Sequence, residues 1–345
     1  MLLSVILLGG VVQVYSSSKQ TYRVTENMAL MQANSRFAMS VLTREIRMAG
    51  FSPCLRTDEV AVTVNSISGT TLVSNLSTGS ITGFEGGSST FPADFPGVGS
   101  APGDRIVGSD GFVVLRGGDA TYNVTYHEPS SATIHIVNST GLNSGDLLLV
   151  CDAKNTAIFQ ATNVPNPAGL GDDTLEHSTG SLTPGNCSTG LGFPTNCTNP
   201  GTAYSYGSDA QVVKLTATVY YLGISQSGNG QALYRRPLDT NTGGVLAVGT
   251  AQELVDGIES LQILYGETDG SNLQAEKYVT ANQVGVWNNI VSVRIALLSQ
   301  TADEINFEND GKSYYLAGTV VNGAADKRLR QAYTSTIKIR NRGEL

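Results

Sequence analysis

The sequence predicts an α+β chain: one long N-terminal α-helix, then a globular head rich in antiparallel β-sheet with long loops. Two observations carry this. Residues 1–50 contain no proline and run from an apolar stretch into an amphipathic pattern. After Pro53 the pattern breaks into short alternating or β-branched runs between Gly-, Pro-, Ser- and Asn-rich connections. Regular strand–helix–strand alternation is absent, which argues against a doubly wound fold.

The helix comes first. Residues 1–15 are mostly Leu, Val and Ile, with no charge. From Val24 the apolar positions are Val24, Met28, Met31, Ala38, Leu42 and Ile46, with Phe37 and Val41 on the flank. Steps of three, four and seven mark one helix face. Arg44 and Arg47 fall in the last turns, where cations suit the helix C-terminus. Gly50 suits the position just past the end and Pro53 forbids continuation. The run 1–15 is shorter than the roughly 20 apolar residues that span a bilayer. It lacks a basic flank and an Ala-x-Ala-like cleavage site. It reads as the downstream part of a membrane helix in preference to a signal-peptide core or a buried helix.

The head follows. Strands are expected at 60–67 and 70–76, as a hairpin, then over 104–118, 120–128, 131–137 and 145–152. They resume at 211–225, 232–238, 289–300 and 332–340. Residues 243–267 are expected to carry a short turn or helix before a strand. Trp287 is expected to open the strand of Ile290, Val291, Val293, Ile295 and Leu297 and to pack in the core. Residues 161–210 hold five prolines and read as a surface insertion.

Four cysteines allow three pairings. The preferred one is Cys54–Cys151, tying the post-helix segment to a strand, with Cys187–Cys197 closing a short Gly- and Pro-rich loop. No CxxC spacing occurs, and His127, His135 and His177 are scattered, so no metal site is expected. Asp104, Asp110, Asp119, Asp146 and Asp152 read as turn chemistry beside glycines or strand ends. GVGSAPG at 97–103 has Pro102 where a dinucleotide fingerprint needs glycine. No catalytic motif is recognised, so no enzyme, catalytic residue or cofactor is predicted. With 14% charged residues and a net charge of −8, the chain lacks the basic stripe of a nucleic-acid binder.

The blocks at 2–51, 145–164, 253–270, 278–298 and 328–342 together resemble a PilW-type minor pilin of the type IV pilus system. The resemblance implies a pilin-like fold: a stem at 1–50, with 1–19 in the membrane, and a periplasmic head at 51–345. It implies other minor and major pilins as partners, an inner-membrane anchor through the helix, a tip complex with a tip adhesin as a further partner, and later a place on the cell-surface pilus. Twitching motility and cell adhesion are the processes this serves. The expected assembly face is Leu3, Ile6, Leu7, Val11, Val14, Met28 and Met31. The family's prepilin motif, a glycine, an aromatic and a downstream glutamate, does not occur before Leu2. The expectation is therefore a chain that starts inside the membrane helix. The rival readings are a type II secretion pseudopilin and a secreted β-rich glycan-binding or hydrolytic protein.

Overall fold

The computed structural model describes residues 2–54, 60–65, 79–87, 91–164, 172–180, 182–228, 230–240, 246–270 and 273–341. The side chains of residues 2–6 and 238–247 lie outside that description. The first element is α1 (Leu2–Met48), 47 residues long, or about 70 Å at 1.5 Å per residue. It ends where Gly50 takes φ +71°, a left-handed value that a side chain resists. A Cβ there would also stand 3.0 Å from that of Ser80.

The strands build one large sheet and two small ones among the described residues. The large sheet is centred on two long neighbours, β3 (Gly111–Glu128) and β8 (Gln211–Ile224). On one side of this pair lie β5 (Leu147–Cys151), β6 (Thr156–Gln160) and β1 (Val60–Val62), β1 running parallel to β6. β2 (Ile81–Phe84), β4 (Thr133–Ile136) and β7 (Asp173–Glu176) extend the β3 side. β9 (Gln231–Thr240) pairs with β8 and carries β10 (Leu246–Val248) and β11 (Gln252–Asp256). The second sheet has the order β13 (Lys277–Val279), β12 (Ile258–Glu267), β14 (Ile290–Gln300), β17 (Arg330–Lys338). β15 (Ser313–Leu316) and β16 (Thr319–Asn322) form a separate hairpin.

β8 shows how the sequence lays out the core. Its alternate residues Val213, Leu215, Ala217, Val219 and Tyr221 face one apolar cluster with Leu147, Leu149 and Ile158. On the other face, Tyr220 and Leu222 meet the second sheet and the helix residues Ala38, Leu42, Ile46 and Ala49. Val212, at the other end, packs with Ile134, Ile136, Phe159, Leu175 and Tyr206. Side chains of a strand alternate sides, so one long strand serves three clusters. Gly257, at φ +77°, stands between β11 in the large sheet and β12 in the second. Its left-handed backbone lets the chain change sheets without a connecting loop.

The α+β, pilin-like class is corrected by this architecture. Strands make up 40% of the structure and helix 16%, with a single α-helix and several sheets among the described residues, so the class is β-rich. Segments without a strand signal of their own supply the difference: 156–160, 173–176, 313–316 and 319–322 are all strand. Residues 252–256 are strand and not turn or helix. Residues 111–128 are one strand with a bulge between Gly117 and Thr121, where two were expected. Residues 60–62 pair with 156–158, and the rest of the expected hairpin, at 66–76, lies outside the described residues. Trp287 sits in a 3-10 turn just before β14, edge-to-face with Tyr265 at 4.9 Å.

Both cysteine pairs are disulfides, Cys54–Cys151 and Cys187–Cys197, with Cα atoms 5.9 and 4.9 Å apart. The stretch 161–210 is more than a surface loop. It contributes β7 and the fully buried Leu175 and Leu191. Asn155 donates to the Leu191 carbonyl at 2.8 Å and to the Tyr206 hydroxyl. Replacing Cys187 and Cys197 by Ser is expected to cost roughly 2–3 kcal/mol, the loop entropy of a short closed ring. Urea unfolding of variant and wild type measures it, and a change below about 0.5 kcal/mol would show that packing alone orders the loop.

Candidate assembly surface

The helix carries two surfaces with different chemistry. Its C-terminal half buries Ala38, Leu42, Ile46 and Ala49 in the core between the sheets. Going toward the N-terminus the same face becomes polar: Ser35, Asn34, Asn27 and Gln20 follow at helical spacing. Ser35 donates to the Met31 carbonyl at 2.6 Å and bonds the Ser299 hydroxyl at 2.8 Å. Asn34 Nδ2 reaches Asp256 Oδ1 at 3.0 Å. Asn27 accepts from the Asp303 amide at 3.1 Å, and Gln20 donates to the Ile305 carbonyl at 3.2 Å. An apolar-periodicity argument passes over these positions because it counts only hydrophobic side chains. Met28, counted with the stripe, is in fact 36% exposed, and Phe37, on its flank, is 48% exposed.

Before Gln20 the helix leaves the head. Every described side chain from Leu7 to Lys19 is exposed. Leu7, Val11 and Val14, three members of the expected assembly face, are 60–67% exposed. They line a shallow groove with Gly10, Tyr15 and Ser18. A Cβ at Gly9 or Gly10 would meet nothing within 4 Å, so no contact within the chain calls for glycine there. Leu3 and Ile6 have side chains outside the description. Met31, 5% exposed, is turned into the head, and Met28 lies at the edge. The structure thus brings Leu7, Val11 and Val14 together and separates Met31 from them. Among the described residues no helix is long and apolar enough to cross a membrane.

Three ionisable clusters in the head were not legible as such. His127 and His177, fifty residues apart, place their Nε2 atoms 3.2 Å from each other. The Tyr206 amide donates to His127 Nδ1, so neutral His127 carries its proton on Nε2 and gives it to His177. His177 then holds its own proton on Nδ1, a buried atom with no hydrogen-bond partner. Burial pushes His127 down to about 4; burial, and then the charge of His127, push His177 down to about 3. The second cluster is Asp110, which takes the Gly86 and Ile263 amides at 2.8 and 2.7 Å and so joins the start of β3 to β12, beyond the short stretch that pairs with β13. Burial and the nearby Glu85 push its carboxyl up to about 7, against those two donors. The third is Arg330, with a fully buried side chain bonded to Glu259, Asp310, Asp326 and Gln300. Among the described residues no three His, Cys, Asp or Glu side chains are grouped to hold a metal ion.

Residues 219–341 match the family model described as "Type IV Pilus-assembly protein W". The match supports a PilW-type protein. It spans less than half of the chain, from the end of β8 to the close of β17, and so covers the whole second sheet. The helix partners Asp256, Ser299, Asp303 and Ile305 all fall inside it. The PilW match points to type IV pilus assembly, with other assembly components as partners, and so to the cell envelope. No curated protein and no solved structure matches the chain.

Proposed function

We propose that this chain is a minor pilin that acts in pilus initiation or in a tip complex. Its stem, residues 1–50, is the assembling element and residues 51–345 are the head it carries. The observation that carries the reading is the bare half of α1. Leu7, Leu8, Val11, Val12 and Val14 project at 60–67% exposure beyond the head. Apolar surface of that extent calls for lipid or protein around it. The matched segment supports the same reading, since it holds the stem's partners Asp256, Ser299, Asp303 and Ile305.

In this mechanism the apolar tip first sits in the inner membrane with the head in the periplasm. It then exchanges lipid for the helices of other minor and major pilins. Lipid is as apolar as leucine, so close packing at small residues sets that exchange. The open surface at Gly9 and Gly10 suits a near approach.

Deleting the gene is expected to abolish or sharply reduce surface pili and twitching, and the wild-type gene to restore both. A Val11→Arg gene should not restore them, because arginine at the centre of an apolar helix costs about 2.5–3.5 kcal/mol on insertion. The Val11→Arg head, far from the change, should still unfold with the wild-type transition. Full piliation without the gene, or a chain recovered only as a soluble extracellular protein, would overturn the proposal.

A further inference from the structure

The connection between β14 and β17 leaves the second sheet and presents a tip that nothing among the described residues covers. Phe307 is 82% exposed there. Glu304 and Glu308 beside it are exposed too, and neither forms an ion pair among the described residues. The tip has a firm base. Ile305 is buried, and its amide and that of Asn306 both donate to the Lys327 carbonyl, at 3.0 and 2.9 Å. Asp303 is held by Asn27 and by Arg23, the latter at 3.5 Å.

The outward face of α1 has the opposite charge. Arg36, Ser40, Arg44 and Arg47 share one side of the helix, turned away from the buried Ala38, Leu42 and Ile46. All four are exposed, and the three arginines have no carboxylate partner among the described residues. Phe37, 48% exposed, gives this face an apolar centre, with the small Ala33 next to it.

We propose that residues 303–308 of one copy dock on the Arg36–Phe37–Arg44 face of a second copy of this chain. Phe307 packs on Phe37, and Glu304 and Glu308 meet the arginines. The two surfaces of one copy cannot meet each other. The loop is tied to α1 at Gln20–Asn27, about 25 Å along the helix from Arg36–Arg47 at 1.5 Å per residue, and on the opposite side. The contact therefore lies between copies, and the arrangement proposed is the heterologous, non-reciprocal one: the ends keep one unused surface of each kind and the assembly grows as an open chain, whereas a reciprocal pairing would stop at a two-fold dimer. Complementary charge gives the contact its register and makes it sensitive to salt. The argument uses the loop and the lower stem only, and does not depend on the pilus reading.

The test is sedimentation of the full chain in detergent micelles, which cover the apolar start of α1. Wild type should associate at low salt into species beyond a dimer, and dissociate at high salt. A loop variant (Glu304→Gln, Phe307→Ser, Glu308→Gln) and a stem variant (Arg36→Gln, Arg44→Gln, Arg47→Gln) should each associate at least about tenfold more weakly. Mixed one to one, they should recover a dimer that grows no further, since each then supplies one intact surface. All six changes are at exposed positions, and an unchanged unfolding transition confirms that each variant is folded. A wild type that stays monomeric, variants that associate like wild type, or a mixture that stays monomeric would each overturn the proposal. Loss of pili in the deletion strain bears on the pilus reading alone.

Discussion

Acidification is expected to reverse the stability order of wild type and a His177→Gln variant. At neutral pH the wild type should be the more stable, because glutamine disturbs the buried pair that joins β3 to the chain after β7. Near pH 4 the variant should be the more stable. An unfolded histidine takes up its proton near 6.5, whereas folded His177 does so only near 3. Between those values the unfolded chain binds more protons than the folded one, so wild-type stability falls as pH falls. The stability conferred by neutral His177 is fully present above 6.5 and is lost as the pH drops toward its folded value. At 1.36 kcal/mol per pH unit, the loss reaches about 3 kcal/mol by pH 4. His127, held near 4, adds to the fall over part of the same range.

The comparison must be between variant and wild type because Asp110 titrates in the opposite sense. Its folded value, about 7, lies above the ordinary 3.8. The folded chain therefore binds the extra proton between those limits, and stability rises as pH falls through them. The total acid response mixes both effects, while the difference between the two proteins isolates His177. Urea midpoints at several pH values measure it. Parallel pH profiles for the two proteins would mean that water reaches the histidine pair and protonates it without penalty.

The stem was legible in the sequence for a simple reason. An α-helix repeats locally, so Leu42, Ile46 and Gly50 could be placed from spacing and capping alone. The polar half of its buried stripe was not legible. The partners of Asn27 and Gln20 in the head are Asp303 and Ile305, more than 270 residues away. The β-rich class was missed for a related reason: strand identity depends on partners. Residues 156–160, Thr-Ala-Ile-Phe-Gln, are buried throughout, so they show no alternation. The β15–β16 hairpin turns through Ala317 and Gly318, both at positive φ, and alanine is a poor advertisement for such a turn. The disulfides could be read because few partners exist for four cysteines. The histidine pair could not, since nothing in spacing links residues 127 and 177. Of the assembly face that the resemblance implied, Leu7, Val11 and Val14 are exposed, while Met31 turns inward with the stripe of Ala38, Leu42 and Ile46 on which spacing had placed it.

Arg330→Met is expected to cost about 3–5 kcal/mol at neutral pH, the range for removing one partner from a buried ionic network. The guanidinium is fully buried, and each of its groups has an acceptor. Nη1 meets Asp326 Oδ1 at 2.7 Å and Asp310 Oδ2 at 3.4 Å, Nε meets Glu259, and Nη2 meets Gln300 Oε1 at 3.5 Å. Methionine fills much of the space but leaves three carboxylates facing one another, Asp310 with its side chain only 5% exposed. Those acids must then either ionise unpaired or bind protons, so the deficit should shrink as pH is lowered through the carboxylate range. A surface ion pair would show neither the size nor the pH trend. The effect should also reach the stem. Arg330 closes the base of the 301–329 connection, whose first residues, Asp303 and Ile305, hold Asn27 and Gln20. Once that base is loosened, Arg23 loses its neighbour Asp303 and tryptic cleavage after Arg23 should quicken while the rest of the head resists. A loss below about 1 kcal/mol, or cleavage unchanged at Arg23, would show that packing of Leu316 on Ala296 and Leu298 holds the connection without the arginine.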